Sequence, residues 1–392
     1  MLIISFDAIG DSEFGRLSEY PAFNSLLKQS ALFRGISTVF LSNTYPVHTS
    51  AVTGVTPGVH GIISNTEPFP SPHPLWNTRE SSIRVKTVWQ AAAEKGIQVA
   101  AVLWPLTAYS KTIRYNIPES LAPYGKNQVI HNLKAGSTFL QLKMFLRHRA
   151  LINGVSQPGL DSFSTACMVD ILREYNPGLA LIHLTAYDML CHKNGKDSAA
   201  VKTAFESLDR NLAALLDAAG DGRDIILFSD HGQINVHTVL DPNAMLVARG
   251  LLTLKGENYI PGESGCYIEC CGGSAFFHSG KLLARLIDAL RADIGQSDGF
   301  RRFLSPEEML ESGRKDVAFG FSAKSGYSYE AFSPGKKADH GYPLDIPDYT
   351  VFYMVRGSGM KPGGVTRGGS LLDIAPLAAR SLKLEGFGTM KG

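Results

Sequence analysis

Three apolar runs in this chain, residues 2–6, 179–184 and 224–228, carry almost no polar interruption. A half-exposed strand alternates apolar and polar residues, whereas a strand covered on both faces reads as a continuous run, so these runs call for a sheet buried between two layers of helices. The intervening pattern supplies the helices. Residues 87–95 are helix-like, with Gly96 as a stop before a further apolar run at 97–103. From 197 to 219, Val201, Ala204, Phe205, Leu208, Leu212, Leu215 and Leu216 recur at helical spacing until Gly220 closes the helix. Residues 350–355 read as the last strand and 371–382 as the last helix. Alternation of this kind defines an α/β fold with a mostly parallel central sheet flanked by helices.

Two segments depart from the rhythm. Residues 106–160 carry Lys111, Arg114, Lys126, Lys134, Lys143, Arg147 and Arg149 against the single acid Glu119, and residues 251–335 show a strand and helix pattern of their own. Both read as insertions over the sheet: 106–160 a basic helical insertion, 251–335 an α+β cap, with 1–105, 161–250 and 336–392 left as the core. For the basic insertion two readings stand, a helical hairpin whose Phe139, Leu142, Phe145 and Leu146 pack, or a cap that faces a substrate. The 392 residues are 44% hydrophobic, ample for a large core. A net charge of +2 with 19% charged residues gives no case for binding a nucleic-acid polymer. No run approaches the ~18 apolar residues of a membrane span. Five cysteines suit a reducing compartment better than a disulfide framework, and the first residues lack the basic flank of a signal peptide, so a cytoplasmic location is expected. Cys266, Cys270 and Cys271 lie in strand-like surroundings and read as buried thiols rather than as a soft-metal site.

Each of the three opening runs delivers an acid. Ligands of open α/β sheets bind beyond the carboxyl ends of the strands, and Asp7, Asp188 and Asp230 all follow such ends on one rim. Three carboxylates together raise one another's pKa unless cations neutralise them, so the grouping argues for bound metal. His192 follows Asp188 by four residues, His231 adjoins Asp230, and His340 sits in the polar turn 337–342. Mixed imidazole and carboxylate donors suit Zn²⁺, with Mn²⁺ or another transition ion also compatible. The stretch 42–65 adds hydroxyls. Thr44 stands ahead of Pro46 and of a run, 49–52, that could start a helix whose positive end a hydroxyl would face. Taken alone, a Ser/Thr-rich loop with a capping residue explains that stretch as well.

Taken in order, Phe6-Asp7, Asn43-Thr44-Tyr45-Pro46 with Thr53-Gly54 and His60-Gly61-Ile62, residues 188–192, Ser229-Asp230-His231-Gly232, Asp339-His340-Gly341-Tyr342 and residues 370–376 carry a resemblance. The chain resembles the type I phosphodiesterase and nucleotide pyrophosphatase family of the alkaline phosphatase superfamily. The resemblance covers nearly the whole chain and implies an alkaline-phosphatase-like fold with inserted cap segments. It further implies that Thr44 is the nucleophile and that two zinc ions are bound. One would be held by Asp188, His192 and His340, the other by Asp7, Asp230, His231 and the Thr44 oxygen. Asn65 stands where the family places an amide that donates to a non-bridging phosphate oxygen. The implied activity is hydrolysis of a small anionic phosphate ester, a diester or nucleotide pyrophosphate, through a phospho-threonine.

Departures from the family pattern leave the metal chemistry intact and the substrate open. Asn43 and Val47 stand where many relatives have Lys and Asn, and Leu106 replaces a glycine after Trp104-Pro105. A phosphonate hydrolase of the phosphonoacetate type and a phosphosugar mutase of the same superfamily are the alternatives. A neutral donor at Asn65 suits a diester better than a dianionic monoester, while the basic segment could meet a second anionic group. The oligomeric state stays open, a homo-oligomer included.

Overall fold

The computed structural model describes residues 1–387 except 153, 333, 334 and 348. Eight strands form the central sheet: β1 (Leu2–Phe6), β2 (Ala31–Ile36), β3 (Val99–Val102), β4 (Tyr115–Ile117), β5 (Leu179–Leu184), β6 (Ile225–Ser229), β7 (Val351–Arg356) and β8 (Val365–Arg367). Their order across the sheet is β8-β2-β7-β6-β1-β5-β3-β4. Only β7 runs against the rest, antiparallel to both β6 and β2. The mostly parallel α/β sheet expected from the apolar runs is therefore present.

Alternation along β1 divides the core. Leu2, Ile4 and Phe6 meet Cys167, Met168, Leu208 and Leu212 of the helices Gly159–Tyr175 and Ala199–Ala219. Ile3 lies on the other face with Val47, Ala51, Trp89 and Ile374 of the helices Thr44–Thr53, Val88–Glu94 and Ile374–Ser381. Each fully buried Leu, Ile, Val, Phe or Met side chain among them stabilises the fold by roughly 1.5–3 kcal/mol. Register then sets the rim: Phe6 lies opposite Leu184 on one side and Ser229 on the other, so Asp7 and Asp230 leave adjacent strand ends.

A second, smaller sheet lies apart from the central one. Tyr267–Cys270, Ser274–His278, Phe319–Ala323 and Phe300–Phe303 make an antiparallel sheet in that order, backed by the helix Ala284–Gly295. Tyr327–Tyr329 pairs with Thr238–Leu240 and stitches this layer to the core.

Residues 106–160 contribute more than helices, since β4 is the edge strand of the central sheet. The helices Gln128–Ala135 and Thr138–His148 follow it. The second packs inward through Leu140 and Met144, not through Phe139, Leu142, Phe145 and Leu146, which point outward. Its cations are also directed at the core: Lys143 pairs with Glu174, and Arg147 reaches Asp170 and Glu174 at 2.6 Å each. These pairs link the helix to Gly159–Tyr175 at the surface, where such ion pairs contribute little to stability.

Candidate active site

The helix carrying Thr44 begins five residues earlier than its sequence suggests. Asn43, with φ −110° and ψ 152°, is the extended residue before it, and Thr44 is its first residue. Hydroxyls that would favour a loop are satisfied inside the helix instead, Thr49 Oγ1 donating to the Tyr45 carbonyl at 2.8 Å and Thr53 Oγ1 to the Thr49 carbonyl at 2.7 Å. Thr44 is thus not a cap but the residue at the positive end of a buried ten-residue helix. Its Oγ1 lies 3.4 Å from His231 Nε2. Asn65 Oδ1 accepts the Tyr45 N–H at 2.9 Å, which fixes the Asn65 amide beside Thr44 and leaves Nδ2 without a partner among the described residues.

Two donor groups form next to Thr44. Asp188, His192 and His340 bring ligand atoms within 4.8 Å of one another, as do Asp7, Asp230 and His231. Asp188 and His192 share a face of the helix Ala186–Asn194 one turn apart. The two-residue pairing of Ala338–Asp339 with Ile234–Asn235 carries His340 to the loop after β6. The rings of His231 and His340 lie 4.2 Å apart between centroids.

Hydrogen bonding decides what these groups can hold. His192 Nδ1 donates to the Ala338 carbonyl at 2.7 Å, so its Nε2 faces Asp188 Oδ1 at 3.2 Å with only a proton or a cation to stand between them. His231 Nδ1 donates to the Gly232 carbonyl at 3.2 Å, leaving Nε2 toward Asp230 Oδ2 at 3.3 Å and Asp7 Oδ1 at 3.5 Å. Those two carboxylate oxygens are buried and have no hydrogen-bond partner among the described residues. His340 Nδ1 meets Asn43 Oδ1 at 3.0 Å. Imidazole lone pairs converging on orphaned carboxylate oxygens make a donor set that a bound cation would satisfy. A third grouping, His48, His183 and Asp230, does not fit: His48 Nδ1 is committed to the Thr44 carbonyl at 2.8 Å and His183 Nε2 to Asp7 Oδ2 at 3.0 Å.

Electrostatics follow from this crowding. Burial first, then the charges of Asp230 and Asp188, hold the Asp7 carboxyl well above the usual carboxylate range. Burial acts upward on Asp188 as well, but the imidazoles of His192 and His340 outweigh it and hold its carboxyl below that range. His340 is pushed well below the ordinary imidazole value by burial and by its neighbours His231 and His192.

All seven metal-site candidates, Asp7, Thr44, Asp188, His192, Asp230, His231 and His340, come together, with Asn65 beside Thr44. The sequence reading missed their supports. His183 lies between Asp7 and Glu119, its Nδ1 3.3 Å from Glu119 Oε2, and the two carboxylates outweigh burial to raise its pKa well above the ordinary value. Gln233 Nε2 donates to Asp188 Oδ1, and Asn43 meets His340. An ionisable residue inside the otherwise apolar run 179–184 was the available signal for His183.

Comparisons with known proteins bear on the family and the fold. A sequence profile described as "Type I phosphodiesterase / nucleotide pyrophosphatase" matches residues 1–294. Bis(5'-adenosyl)-triphosphatase ENPP4 of Bos taurus is 24% identical over 269 residues, which is 62% of this chain and 51% of that protein. Ectonucleotide pyrophosphatase/phosphodiesterase family member 5 of Homo sapiens is 21% identical over 244 residues, 59% of this chain and 44% of that protein. The chain thus spans about half the length of these curated relatives. Among solved structures, murine ectonucleotide pyrophosphatase / phosphodiesterase 5 superposes with a TM-score of 0.70 at 17% identity, covering 98% of this chain and 95% of that one. An inactive form of the murine protein, in complex with AMP, gives the same TM-score at 16% identity, with 98% and 94% covered. With three quarters of its length inside the family profile and the family's fold throughout, the chain belongs to the type I phosphodiesterase/nucleotide pyrophosphatase family.

Proposed function

We propose that the chain is a metal-dependent hydrolase of small phosphodiesters or nucleotide pyrophosphates in which Thr44 is the nucleophile. The observation that carries the reading is the placement of Thr44 Oγ1 at a buried helix N-terminus, 3.4 Å from His231 Nε2 and beside both donor groups. Asp188, His192 and His340 would hold one divalent ion, and Asp7, Asp230 and His231 the other. The donor set favours zinc and also admits Mn²⁺ or another transition ion. When bound, the ions supply positive charge that polarises a phosphoryl oxygen and acidifies a neighbouring hydroxyl. Thr44 Oγ1 would attack phosphorus as the bond to the leaving oxygen breaks, giving a phospho-threonine that water then hydrolyses. The first-turn N–H groups face the developing charge, and Asn65 Nδ2 donates to a non-bridging oxygen.

Two relatives suggest where to begin. One is named for a bis-adenosyl triphosphate and another was solved with AMP, which makes nucleotides the first substrates to try. A phosphonate hydrolase of the phosphonoacetate type would use a similar threonine and metal set and stays the alternative; of the seven cations in residues 106–160, Lys143 and Arg147 are paired with Glu174 and Asp170. A cytoplasmic location is also proposed, supported by five cysteines without disulfides among the described residues.

The test is a substrate panel of diesters, monoesters, pyrophosphates and phosphonates with the zinc-loaded chain, run for wild type and Thr44→Ala. Diesters or pyrophosphates should lead, and Thr44→Ala should keep its melting temperature and lose turnover. Preference for monoesters, isomer formation in place of phosphate release, or an active alanine variant would sink the proposal.

A further inference from the structure

Strand β5 is buried on both faces, yet one of its six residues is ionisable. Leu179 and Leu181 face the layer that holds the helix Thr44–Thr53, and His183 continues that face, its ring 4.3 Å from the His48 ring between centroids. A leucine could be buried there at no polar cost, whereas an imidazole costs free energy unless its ring nitrogens find partners. Both partners are carboxylates. His183 Nε2 donates to Asp7 Oδ2 at 3.0 Å, and Nδ1 donates to Glu119 Oε2 at 3.3 Å.

Glu119 is the single acid of residues 106–160, and the chain beside it is held in turn. Gln128 Nε2, in the first turn of the helix Gln128–Ala135, donates to the Ser120 carbonyl, and the Ser120 hydroxyl meets His131 Nε2 one turn later, both at 2.7 Å. A line of contacts therefore runs from that helix through Glu119 and His183 to Asp7 on the rim.

That line decides how many oxygens the Asp7 group offers. Asp7 Oδ2 is taken by His183, and Asp230 Oδ1 accepts the N–H groups of Ala8 and His231, each at 2.9 Å. Each carboxylate keeps one buried oxygen without a hydrogen-bond partner among the described residues, Asp7 Oδ1 and Asp230 Oδ2. With His231 Nε2 and Thr44 Oγ1, the group amounts to four single donors. Four mixed nitrogen and oxygen donors suit zinc, whereas manganese takes more oxygens and gains from a carboxylate that offers both of its own. Resting on the metal-dependent reading above, we propose that His183, backed by Glu119, is a positioning residue: it confines Asp7 to one oxygen and so biases this ion site toward zinc over manganese. Hydrogen-bond partners of a metal-binding carboxylate orient it and tune the ion it holds.

The experiment titrates Mn²⁺ into the zinc-loaded full chain at a buffered free zinc concentration and counts both ions per chain by plasma mass spectrometry. Wild type, His183→Leu, His183→Gln and Glu119→Ala are compared. Wild type should hold two zinc ions. In His183→Leu the manganese concentration that displaces one of them should fall roughly tenfold to a hundredfold, while the other exchanges as in wild type. His183→Gln keeps an amide that donates to Asp7 and should restore most of the preference. The Glu119 side chain is 25% exposed, so Glu119→Ala spares the buried strand. It should shift the preference in the same direction by a smaller factor, and it decides the matter if His183→Leu does not fold. A role in folding alone would lower the melting temperature of the variants and leave the exchange ratio at its wild-type value, and that result overturns the inference. Less than one ion per wild-type chain overturns it together with the metal-dependent reading, whereas two ions with an unchanged ratio in every variant overturn this inference alone.

Discussion

Asn65 accepts the Tyr45 N–H through Oδ1, and its Nδ2 has no partner among the described residues, so its truncation should be felt twice. Asn65→Ala leaves the Tyr45 N–H unpaired, at about 1–3 kcal/mol of stability, and removes the amide donor, which should lower kcat/KM for a diester by about tenfold or more. Urea denaturation separates the first effect from the second, and an unchanged diester rate would remove Asn65 from the site. His60 gives a pH signature away from the donor groups. Its Nδ1 accepts the Ile62 N–H at 3.1 Å and its Nε2 lies 2.9 Å from Ser50 Oγ, an arrangement for the neutral ring. Burial holds its pKa down at about 3, whereas the unfolded chain protonates it near 6.5. The unfolded state then binds the extra proton, so the contribution of His60 is full above pH 6.5 and is lost by about 1.4 kcal/mol per pH unit as pH falls toward 3. The stability gap between wild type and His60→Gln should narrow at that rate below pH 6.5. A gap constant from pH 8 to 5 would mean that the ring takes up its proton at the same pH in the fold as in the unfolded chain.

Gly341, between His340 and Tyr342, belongs to a turn that only glycine fits. Its φ is +78°, and a Cβ there would lie 2.0 Å from the Cys271 carbonyl oxygen. The cap sheet thus presses backbone against backbone behind His340. Gly341→Ala should destabilise the chain by about 2–4 kcal/mol, left-handed strain and overpacking together, and should weaken metal retention; equal urea midpoints for variant and wild type would contradict this. Elements differed in how openly the sequence announced them. β1, β5 and β6 lie at the centre, buried on both faces, and their apolar runs could hardly mean anything else. β2, β4 and β8 lie at or next to the edges, where part of each strand meets water: β2 contains Arg34-Gly35, β4 has three residues, and β8 is exposed throughout. Edge strands carry no continuous run, which is why β2, β4 and β8 went unread. The start of the Thr44–Thr53 helix was hidden for another reason, since hydroxyl-to-carbonyl bonds within it answer to geometry that composition does not reveal.

At the scale of the whole molecule, the donor residues were legible because strand ends share a rim, whereas His183, Gln233 and Asn43 were not, because their roles depend on side chains that meet only in the folded chain. On the proposed reading, three carboxylates in that rim make the metal-free protein the less stable form. Chelation should lower the melting temperature by several degrees and readdition of Zn²⁺ restore it, since an ion at a thousand times its Kd contributes about 4 kcal/mol. An unchanged melting temperature together with less than one ion per chain would refute this. The centre is also assembled from distant parts. Ala8 donates to Asp230 across 222 residues, and His340 meets Asn43 across 297. Bringing such distant segments together costs loop-closure entropy before the donors converge, so the binding-competent cage is expected to be incomplete at the rate-limiting barrier. Ions should therefore leave the refolding rate nearly unchanged and slow unfolding by the whole of their stabilising effect, which gives the loaded protein a long lifetime rather than a fast birth.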